Sequence, residues 1–577
     1  MSKSNKAFTL IELLAVIIIL VIIALIATPV VLKVVDNAKE SARKSSVAGY
    51  ADSVKLAITS KTFENGGSSP VIDETFLNSI DYQGSTVTCN EVKNTNNYGV
   101  ILKECTVATN SNIYCFAKGK VYSCDDEAFT NIYNNMDENN GEKIVYKDAS
   151  GANSPVLYTN IIPVRYDGTN WIYADTTQKW YDYDTKEWAN AVVLNSGVTK
   201  NVGDTIDVVN DVSQMYVWIP RYKYTIFNGN NESAAIQEIN VVFESGINST
   251  GTVSCTDAVA GSGSSSEICT DTTNGSVTNG TSTYTHPAFK FGTTNLTGFW
   301  VGKFETGNVT ACTATTGSVG TACDVTTLGI QIKPNVTSWR GARISTFYTT
   351  IASISTTYGI NVDSHMMKNM EWGAVAYLEA SKYGLSTTDI GINNNSSYTT
   401  GCGAAAGSSS SSICNTYNTT GVVASTTGNI YGVYDMSGGA WEYVMGDMVT
   451  SGNVPMVGYN STYNSGFTGT MYSGTWTGTT FPTDSKYYDK YTYDGSSNIT
   501  HSRGKLGDAT KETLTTYGNS SGGWYSDYAY FPSSNSPWFK RGGNYGSTSY
   551  AGVFNFNYAS GHAITNTGVH VVFAGEN

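Results

Sequence analysis

The chain has 577 residues and a formal net charge of −13, with 12% aromatic but only 14% charged residues. This length exceeds one ordinary hydrophobic core, so we expect two or more folded units. The 39 tyrosines and 58 glycines favour β-sheet and long loops over an all-helical fold. The negative charge repels phosphate backbones and no long Lys/Arg run offsets it, so we expect no nucleic-acid partner.

A polar head with Lys3 and Lys6 leads into an unbroken apolar stretch from Leu13 to Ala27. Counted from Leu10 to Val35, the run can cross a hydrocarbon core, which needs ~20 residues, and the two lysines supply a positive inner flank. Glu12 is anomalous, because a carboxylate in lipid is costly unless it is paired. A functional role for Glu12 is therefore expected.

The segment KAFTLIELLAVIIILVIIALIATPVV resembles the class III signal of type IV prepilins and pseudopilins. The resemblance implies that a prepilin peptidase cuts between Ala7 and Phe8, removing the leader of residues 1–7, and that Phe8 is then N-methylated. It also implies that Glu12 meets the α-amine of a neighbouring subunit during filament assembly. The family usually has Gly where Ala7 stands. A secretory signal peptide would instead need a small-x-small cleavage site, which Leu25-Ile26-Ala27 does not supply.

Beyond the apolar run the pattern predicts a helix that continues to about residue 60. Pro29 predicts a kink or local melting within it. The second half has polar residues between apolar ones at helical spacing, which is typical of a helix packed on a globular domain. Those apolar positions are Val47, Tyr50, Val54 and Ile58. A plain single-pass anchor with a stalk would explain the apolar run but not Glu12.

The ten cysteines avoid C-x-x-C spacing, which favours disulfides in an oxidising, extracytoplasmic compartment over metal binding. Closing loops of this size stabilises by about 2 to 3 kcal/mol each. Three pairs bracket loops rich in small residues: Cys255 with Cys269, Cys312 with Cys323, and Cys402 with Cys414. Four others allow three connectivities, among which the sequence does not choose: Cys89, Cys105, Cys115 and Cys124. The first and third loops share a soft Gly/Ser tip, which suggests a repeated, projecting hairpin.

Residues 61–130 hold short β-like runs and four cysteines, and predict a small disulfide-stapled β domain. Residues 131–214 are interpreted as a connector with β-hairpins, one turning at Asp167-Gly168. Asp182 and Asp184 lack the spacing of a calcium loop, which favours a solvated turn.

From residue 215 to 577 the segments MYVWIPRYKYTIF, GFWVGKFETG and GNIYGVYDMSGGAWEYVMG resemble, in this order, the formylglycine-generating-enzyme-like branch of the C-type lectin fold. The resemblance assigns an early strand to Phe299–Gly307, a helix to Glu371–Tyr383, a core segment to Tyr431–Val444 and an R-G-G turn to Arg541–Gly543. Together these features predict the α+β class: a long pilin helix, a small β domain and a C-type-lectin-like domain.

This chain departs from that branch where its oxidising enzymes place a cysteine pair, because Gly542 to Gly568 contains none. We therefore expect no copper-assisted oxidation and no enzyme, although an enzyme on this fold remains an alternative. The terminal G-F-R of the family is replaced by Gly568-Val569-His570, so the last strand has to be secured differently. Trp441, Glu442 and Arg541 are interpreted as structural.

The five histidines show no H-x-H or H-E-x-x-H spacing, so we expect no metal and no cofactor. A Ser-His-Asp set assembled from distant positions stays open.

Residues 544–562 are rich in Tyr, Ser, Gly and Asn, the residues of adaptable binding surfaces. Phe554 and Phe556 alternate with asparagines, as in a strand with one packed and one offered face. A plain terminal hairpin explains the pattern as well. The resemblance also places here the region that varies among the variable proteins of diversity-generating retroelements. The predicted ligand-binding residues are Asn544, Tyr545, Tyr550, Asn555, Asn557, Tyr558 and His562.

The sequence thus predicts a pilin-like subunit, at the tip or in low copy number, that displays an adhesin-like domain. Its expected partners are other pilin subunits, the prepilin peptidase, the membrane and an extracellular glycan or protein. The alternatives are a pseudopilin of a secretion system or a static membrane-anchored surface protein.

Overall fold

The N-terminal helix α1 runs from Leu10 to Glu64 and contains 55 residues in the computed structural model, which makes it about 80 Å long. The helix continues through Pro29, so the local melting expected there does not occur. It also ends about one turn later than the expected end near residue 60. The side chains described between Leu10 and Val35 are exposed.

The structure describes residues 10–64, 70, 72–95, 99–108, 112–134, 146–229, 233–249, 251–256, 267–308, 323–327, 329–493, 504–516 and 520–575. They belong to two compact units, unit 1 (residues 1–144) and unit 2 (residues 145–577). Ala7, Phe8 and Cys312 lie outside the described residues. The backbone of Glu12 lies in α1, but its side chain is outside the described part.

In unit 1 a four-stranded antiparallel sheet packs on the second half of α1. Val47, Val54 and Ile58 of α1 are buried with Leu102 and Tyr114 of the sheet. Burial of this stripe explains the apolar spacing of the sequence. The further elements are α2 (Glu74–Asn78), β1 (Val87–Thr95), β2 (Gly99–Val107), β3 (Tyr114–Ala117), β4 (Lys120–Ser123) and α3 (Glu127–Asn134).

The structure settles how the four cysteines of unit 1 pair. Cys89 is bonded to Cys105, directly opposite it on β2, and Cys115 is bonded to Cys124. The first bridge ties the two longest strands of the sheet together, and the second links β3 to the residue that follows β4.

Unit 2 contains three described α-helices, α4 (Ile344–Ala352), α5 (Ile354–Tyr358) and α6 (Asn369–Glu379). Its strands up to residue 302 are β5 (Ile162–Tyr166), β6 (Trp171–Tyr173), β7 (Asn190–Leu194), β8 (Thr205–Ile206), β9 (Val212–Pro220), β10 (Tyr222–Thr225), β11 (Val241–Phe243), β12 (Val253–Thr256), β13 (Ile268–Asp271), β14 (Thr283–Thr285), β15 (Lys290–Phe291), β16 (Thr294–Asn295) and β17 (Gly298–Gly302). The later strands are β18 (Gly307–Asn308), β19 (Ile330–Gln331), β20 (Asp363–Met366), β21 (Trp441–Val449), β22 (Met456–Gly458), β23 (Gly469–Met471), β24 (Gly474–Trp476), β25 (Asp489–Thr492), β26 (Trp538–Gly542), β27 (Gly552–Ala559), β28 (Thr567–Val569) and β29 (Val571–Ala574).

Two larger sheets organise unit 2. The first has eight strands in the order β20-β29-β17-β9-β7-β5-β6-β8, and the second has five, β25-β21-β26-β27 with β28 also paired to β21. The chain ends in the first sheet, where β29 lies between β20 and β17. At the end of β26, Gly542 and Gly543 both have positive φ, 80° and 77°, the conformation in which glycine is favoured.

The interpretation of residues 131–214 as a connector is wrong for the part from residue 145 onward. Strands β5, β6, β7 and β8 are members of the eight-stranded sheet, and β7 pairs with β9 along most of its length. Trp188 is fully buried and donates its indole N–H to the carbonyl of Tyr383, 2.8 Å away. The domain boundary therefore lies near residue 145 and not at residue 215.

Of the three helices described in unit 2, the sequence predicted only the one that begins near Glu371. It did not predict α4 and α5. α4 buries Ile344, Phe347 and Ile351, and α5 follows it after Ser353. Both are short and rich in Thr and Ser, residues with modest helix propensity. Tertiary packing of their apolar side chains stabilises them instead.

Several buried tryptophans in the core of unit 2 donate their indole N–H groups to distant carbonyls. Trp372 of α6 donates to Val553 of β27 at 2.7 Å, and Trp524 donates to Ala234 at 2.9 Å. A buried indole N–H without a partner would cost about 1 to 3 kcal/mol. These bonds thus connect segments that are far apart in the sequence.

The two Gly/Ser loops are not a repeated hairpin. Cys255 and Cys269 close a true hairpin between β12 and β13. In the loop closed by Cys402 and Cys414, Ser411 instead donates its backbone N–H to the carbonyl of Asn394 at 2.8 Å, so this loop pairs with a neighbouring segment. Cys323 is also disulfide-bonded.

The last strands are secured by a buried contact between two side chains. His570, between β28 and β29, directs Nδ1 at Oε2 of Glu442 on β21, and both residues are almost completely buried. β28 runs parallel to β21 and pairs Gly568 with Glu442. His570 is the residue for which the sequence analysis expected a different way of securing the last strand.

Candidate ligand-binding surface and assembly helix

Four tyrosines form a continuous cluster at the surface of unit 2. The ring of Tyr528 lies 5.0 Å from that of Tyr530 and 6.1 Å from that of Tyr550, measured between centroids. Tyr530 in turn lies 6.2 Å from Tyr558. Tyr550 and Tyr558 are 42% and 37% exposed. We call Tyr528, Tyr530, Tyr550 and Tyr558 the tyrosine cluster.

Backbone pairing explains how residues from two segments meet in the tyrosine cluster. The chain at residues 528–530 runs beside β27: Phe556 donates its N–H to the carbonyl of Tyr528 at 2.9 Å, and Tyr530 donates to Phe556 at 3.1 Å. Tyr528 also donates its N–H to the carbonyl of Tyr550. The two tyrosine-rich segments therefore present their side chains together.

The hydroxyls of the tyrosine cluster are available to a ligand. Within the described part of the chain, none of these four hydroxyls has a hydrogen-bond partner. Buried tyrosines of unit 2 differ: the hydroxyl of Tyr183 donates to Trp218, and that of Tyr222 donates to Ala374, both at 2.7 Å. Aromatic faces with free hydroxyls suit the recognition of sugars and of polar protein surfaces.

A cationic and aromatic pair adjoins the tyrosine cluster. The ring of Trp441 lies 6.4 Å from that of Tyr528, and Nζ of Lys540 lies 4.3 Å above the Trp441 ring. Burial lowers the pKa of Lys540 to about 8. Sequence reasoning had assigned Trp441 a structural role and had missed Lys540.

His562 lies at the edge of the same region. Burial lowers its pKa to about 4, and the charge of Lys540 acts in the same direction. Its Nδ1 is 2.6 Å from Oγ of Ser560, and its ring packs edge-on against Tyr463. In the described chain no carboxylate hydrogen-bonds to His562, so these contacts do not form a Ser-His-Asp set.

The asparagines predicted to bind ligand differ in their accessibility. Asn555 is fully buried and uses Nδ2 to bond the carbonyl of Tyr550, so its expected place on an offered face is wrong. The strand is covered on both sides here, because Phe554 and Phe556 are buried as well. Asn557 is half-buried and accepts a hydrogen bond from the N–H of Tyr558.

Asn544 and Tyr545 lie in a turn apart from the tyrosine cluster. Oδ1 of Asn544 accepts from the N–H of Gly546, and the Tyr545 ring packs against that of Tyr398 at 4.8 Å. The guanidinium carbon of Arg340 lies 3.7 Å from the centroid of the Tyr398 ring. Asn544 and Tyr545 therefore make contacts that are separate from those of the tyrosine cluster.

Sequence reasoning missed Tyr528 and Tyr530. The available signal was the segment Tyr-Ser-Asp-Tyr-Ala-Tyr at residues 525–530, which has the same tyrosine-rich composition as residues 544–562. Composition alone did not indicate that the two segments pair, because their contact depends on the backbone register beside β27.

One group of potential metal ligands lies close together in the described part of the chain, formed by Cys255, Glu267 and Cys269. The two sulfurs are bonded to each other, so they are not thiolate ligands.

In unit 1 the first half of α1 is long and apolar enough to cross a membrane. The side chains described in this half are exposed, with Leu10 at 83% and Leu25 at 69%. Such a continuous apolar surface needs either lipid or other helices around it.

Residues 2–28 match the family model for the prokaryotic N-terminal methylation motif. No curated protein was found to match the chain. The motif spans Ala7, Phe8 and Glu12, and together with the apolar helix it fits a membrane-anchored subunit of the type IV pilin or pseudopilin kind. It implies processing by a prepilin peptidase and assembly with other pilin subunits.

Proposed function

We propose that this chain is a tip or low-copy subunit of a type IV pilus-like filament and displays unit 2 outside the cell as a ligand-binding domain. α1 anchors the subunit in the membrane before assembly and packs among other subunit helices afterwards. The disulfides support an oxidising compartment. The size of unit 2, residues 145–577, supports a tip position, because packed helices along a shaft leave limited room.

The observation that carries the binding role is the tyrosine cluster, whose hydroxyls have no hydrogen-bond partner among the residues that the structure describes. Tyrosine supplies a large rigid contact area at low entropic cost, and its hydroxyl adds a directional hydrogen bond. With Trp441 and Lys540 beside it, the cluster is suited to an extracellular glycan or a polar protein surface. The role we propose is recognition without catalysis.

We further propose that unit 2 is a C-type-lectin-like domain of the formylglycine-generating-enzyme-like branch. The R-G-G turn at Arg541–Gly543 and the helix α6 occur in the order which that resemblance requires. A retroelement-diversified binding face would then fall on residues 544–562, which include Tyr550 and Tyr558. A template repeat near the coding locus would support diversification of this face. The absence of such a repeat would contradict it.

A pseudopilin of a secretion system is the second candidate, because the N-terminal motif fits both kinds of subunit. The two differ in where unit 2 is found. A pilus subunit is displayed on an extended surface filament, whereas a pseudopilin stays within the cell envelope.

Replacing Glu12 with Ala is expected to reduce filament assembly at least tenfold. The measure is the amount of the protein recovered in sheared filaments. A carboxylate in hydrocarbon needs a partner, which the proposed assembly supplies as the α-amine of Phe8 in a neighbouring subunit. Mass spectrometry of the membrane fraction should still find the chain cut after Ala7 and methylated. Immunogold labelling of unit 2 should mark filament ends in the unaltered protein.

Asp36→Ala is the matched control, since Asp36 is an exposed acid on the same helix but lies outside the motif of residues 2–28. It should assemble normally. A Glu12→Ala protein that assembles normally would contradict the assembly role of Glu12, absence of the unaltered protein from sheared filaments would favour a static anchor, and gold along the whole shaft would refute the tip position. An intact leader would remove the pilus interpretation.

Replacing Tyr528 or Tyr558 with Ala is expected to weaken ligand binding about tenfold or more, the loss typical of a central aromatic contact. The ligand is found first by probing glycan and protein arrays with the full-length protein in an uncharged detergent. Affinities of the variants for the strongest hit are then measured by surface plasmon resonance.

Tyr173→Ala is the control for this experiment, because Tyr173 is a half-buried tyrosine on β6 in the other large sheet. Equal losses for Tyr173→Ala and Tyr558→Ala would show that the tyrosine cluster is not the binding surface. Thermal melting of each variant separates lost contacts from lost folding.

A further inference from the structure

Lys540 is a half-buried lysine of β26 that lies beside the tyrosine cluster and lacks an anionic partner. Its Nζ lies 4.3 Å from the centroid of the Trp441 ring, and that ring contacts Tyr528. Among the residues that the structure describes, no carboxylate lies within ion-pairing distance of Nζ and no oxygen accepts a hydrogen bond from it. An ammonium that is partly removed from water without gaining an acceptor is destabilised. An anion supplied by a ligand would restore the missing interaction.

Other buried lysines of unit 2 have the partners that Lys540 lacks. Lys303 is fully buried, and its Nζ donates to the carbonyl of Ile430 at 2.7 Å. Lys368 is buried as well, and its Nζ lies 3.3 Å from Oε1 of Glu371. The fold therefore satisfies these two structural lysines, and Lys540 differs from them.

The strands on either side of Lys540 place no negative charge next to it. Its neighbours across the sheet are Tyr443 of β21 and Asn557 of β27, and cross-strand neighbours project from the same face. The hydroxyl of Tyr443 donates to the carbonyl of His562 at 2.8 Å. Burial lowers the pKa of Lys540 to about 8, and no acid acts in the opposite direction. The described residues therefore leave the positive charge of Lys540 uncompensated.

A further group of exposed tyrosines begins next to His562. Burial, and after it the charge of Lys540, lowers the pKa of His562 to about 4, and the His562 ring packs edge-on against Tyr463 at 4.9 Å between centroids. Tyr459 donates its backbone N–H to the carbonyl of Tyr463 at 2.8 Å, and its ring stacks on that of Tyr472 at 5.5 Å. Tyr459, Tyr463 and Tyr472 are 40%, 37% and 59% exposed. We call these three residues the second tyrosine group.

A chain of contacts thus joins the tyrosine cluster to the second tyrosine group through Trp441, Lys540 and His562. Tyrosine rings pack on the C–H faces of sugars, and their hydroxyls bond sugar hydroxyls. Two such groups offer a contact surface for more than one sugar unit. A carboxylate-rich peptide fits less well, because Lys540 neutralises one charge and a chain with a net charge of −13 repels the others. The surface therefore favours a mostly neutral oligosaccharide with one acidic group.

We propose that Lys540 binds the carboxylate of an acidic sugar in an otherwise neutral oligosaccharide, whose other sugars contact the tyrosine cluster and the second tyrosine group. This role of Lys540 rests on the binding function proposed for the tyrosine cluster and adds the class of its ligand. One ammonium matches one carboxylate. A charge-assisted hydrogen bond is stronger in a partly buried site than in water.

The test uses an array of oligosaccharides that contain one sialic or glucuronic acid, each printed beside its methyl ester. The ester removes the charge and keeps the rest of the sugar. At pH 7 the full-length protein in uncharged detergent is expected to bind the acids at least tenfold more tightly than their esters, measured by surface plasmon resonance on the strongest hits. Lys540→Gln should bring the acids to the level of the esters. Lys540→Arg keeps the charge and should preserve the preference.

Lys490→Gln is the matched control. Lys490 is also half-buried beside an aromatic ring, with Nζ 5.9 Å from that of Tyr488, but it lies on the edge strand β25. This variant should keep the preference for acids. Unchanged binding of the esters by Lys540→Gln shows that the variant is folded.

Raising the pH from 7 to 9 should reduce the preference of the unaltered protein about five- to tenfold. With a pKa of about 8, Lys540 changes over this range from about nine tenths to about one tenth protonated. The titratable groups around it keep their charge, because burial raises the pKa of Tyr443 and Tyr528 and lowers that of His562. Lys540→Arg should lose this pH dependence, a result that misfolding cannot imitate.

The possible failures are distinguishable. If Tyr558→Ala weakens glycan binding but acids and esters bind alike, the role of Lys540 is overturned and the tyrosine cluster keeps its function. The same follows if Lys540→Gln leaves the preference unchanged or Lys490→Gln removes it too. Glutamate-rich peptides are printed on the same array, and tighter binding of these than of every glycan would overturn the glycan class. If Tyr558→Ala weakens binding of neither glycans nor peptides, the function proposed for the tyrosine cluster fails as well.

Discussion

A fragment that starts at Met215 is expected not to fold, whereas one that starts at residue 145 is expected to unfold cooperatively. The shorter fragment lacks β5 to β8 and the first residues of β9. It also lacks buried aromatic side chains, each of which contributes about 4 to 6 kcal/mol from about 150 to 250 Å² of area. They are Trp171, Trp180, Tyr181, Tyr183 and Trp188.

Their removal also uncovers the surfaces of unit 2 on which they pack, and a typical domain has a net stability of only about 5 to 15 kcal/mol. Near-ultraviolet circular dichroism and urea titration of both fragments, with their disulfides formed, test this expectation. The longer fragment is the matched control, because it differs only by residues 145–214. A cooperative transition in the shorter fragment would contradict the assignment of β5 to β8 to the core of unit 2.

The same strands show where sequence reasoning failed. The hairpin at Asp167-Gly168 was predicted from local turn chemistry and is present, with Gly168 at a φ of 100°. The hairpin itself pairs with the nearby strands β7 and β8. Its place in the sheet was not predictable, because β7 pairs with β9 and β9 pairs with β17, more than a hundred residues from β5. A local pattern encodes a strand, but the order of strands depends on distant contacts.

The candidate sites also differ in whether they depend on a local pattern or on contacts between distant segments. The N-terminal motif is contiguous, so its resemblance to a prepilin signal could be found in the sequence alone and the match of residues 2–28 supports it, while the roles of Ala7, Phe8 and Glu12 stay predictions. The tyrosine cluster depends on the pairing of two segments, and only Tyr550 and Tyr558 were found. Asn555 was misplaced because alternation along a strand does not reveal that both faces are covered.

The buried pair of Glu442 and His570 is expected to give two substitutions opposite dependences of stability on pH. Burial raises the pKa of Glu442 well above its usual value, with Asp435 adding to the rise, and burial lowers the pKa of His570 to about 4. Both neutral forms are thus favoured in the folded state. From about pH 4.5 to 6.5 the folded pair holds one proton, on Glu442, and the unfolded pair also holds one, on the histidine. Their effects cancel, so the native pair adds almost no pH dependence.

His570→Gln should leave a buried acid that binds a proton only when folded, so stability falls as pH rises above about 4.3, by about 1.4 kcal/mol per pH unit. Glu442→Gln should leave a buried neutral histidine, and stability should then rise with pH between about 4 and 6.5 at a similar rate. Urea titrations of residues 145–577 at pH 4.5, 5.5 and 6.5 measure both slopes relative to the unaltered fragment, which cancels the contribution of every other group. The double substitution is the control and should restore a flat difference. If the free energy of unfolding of the two single variants changes with pH in the same direction, protonation of Glu442 does not offset that of His570 within their contact. A group other than Glu442 would then compensate His570.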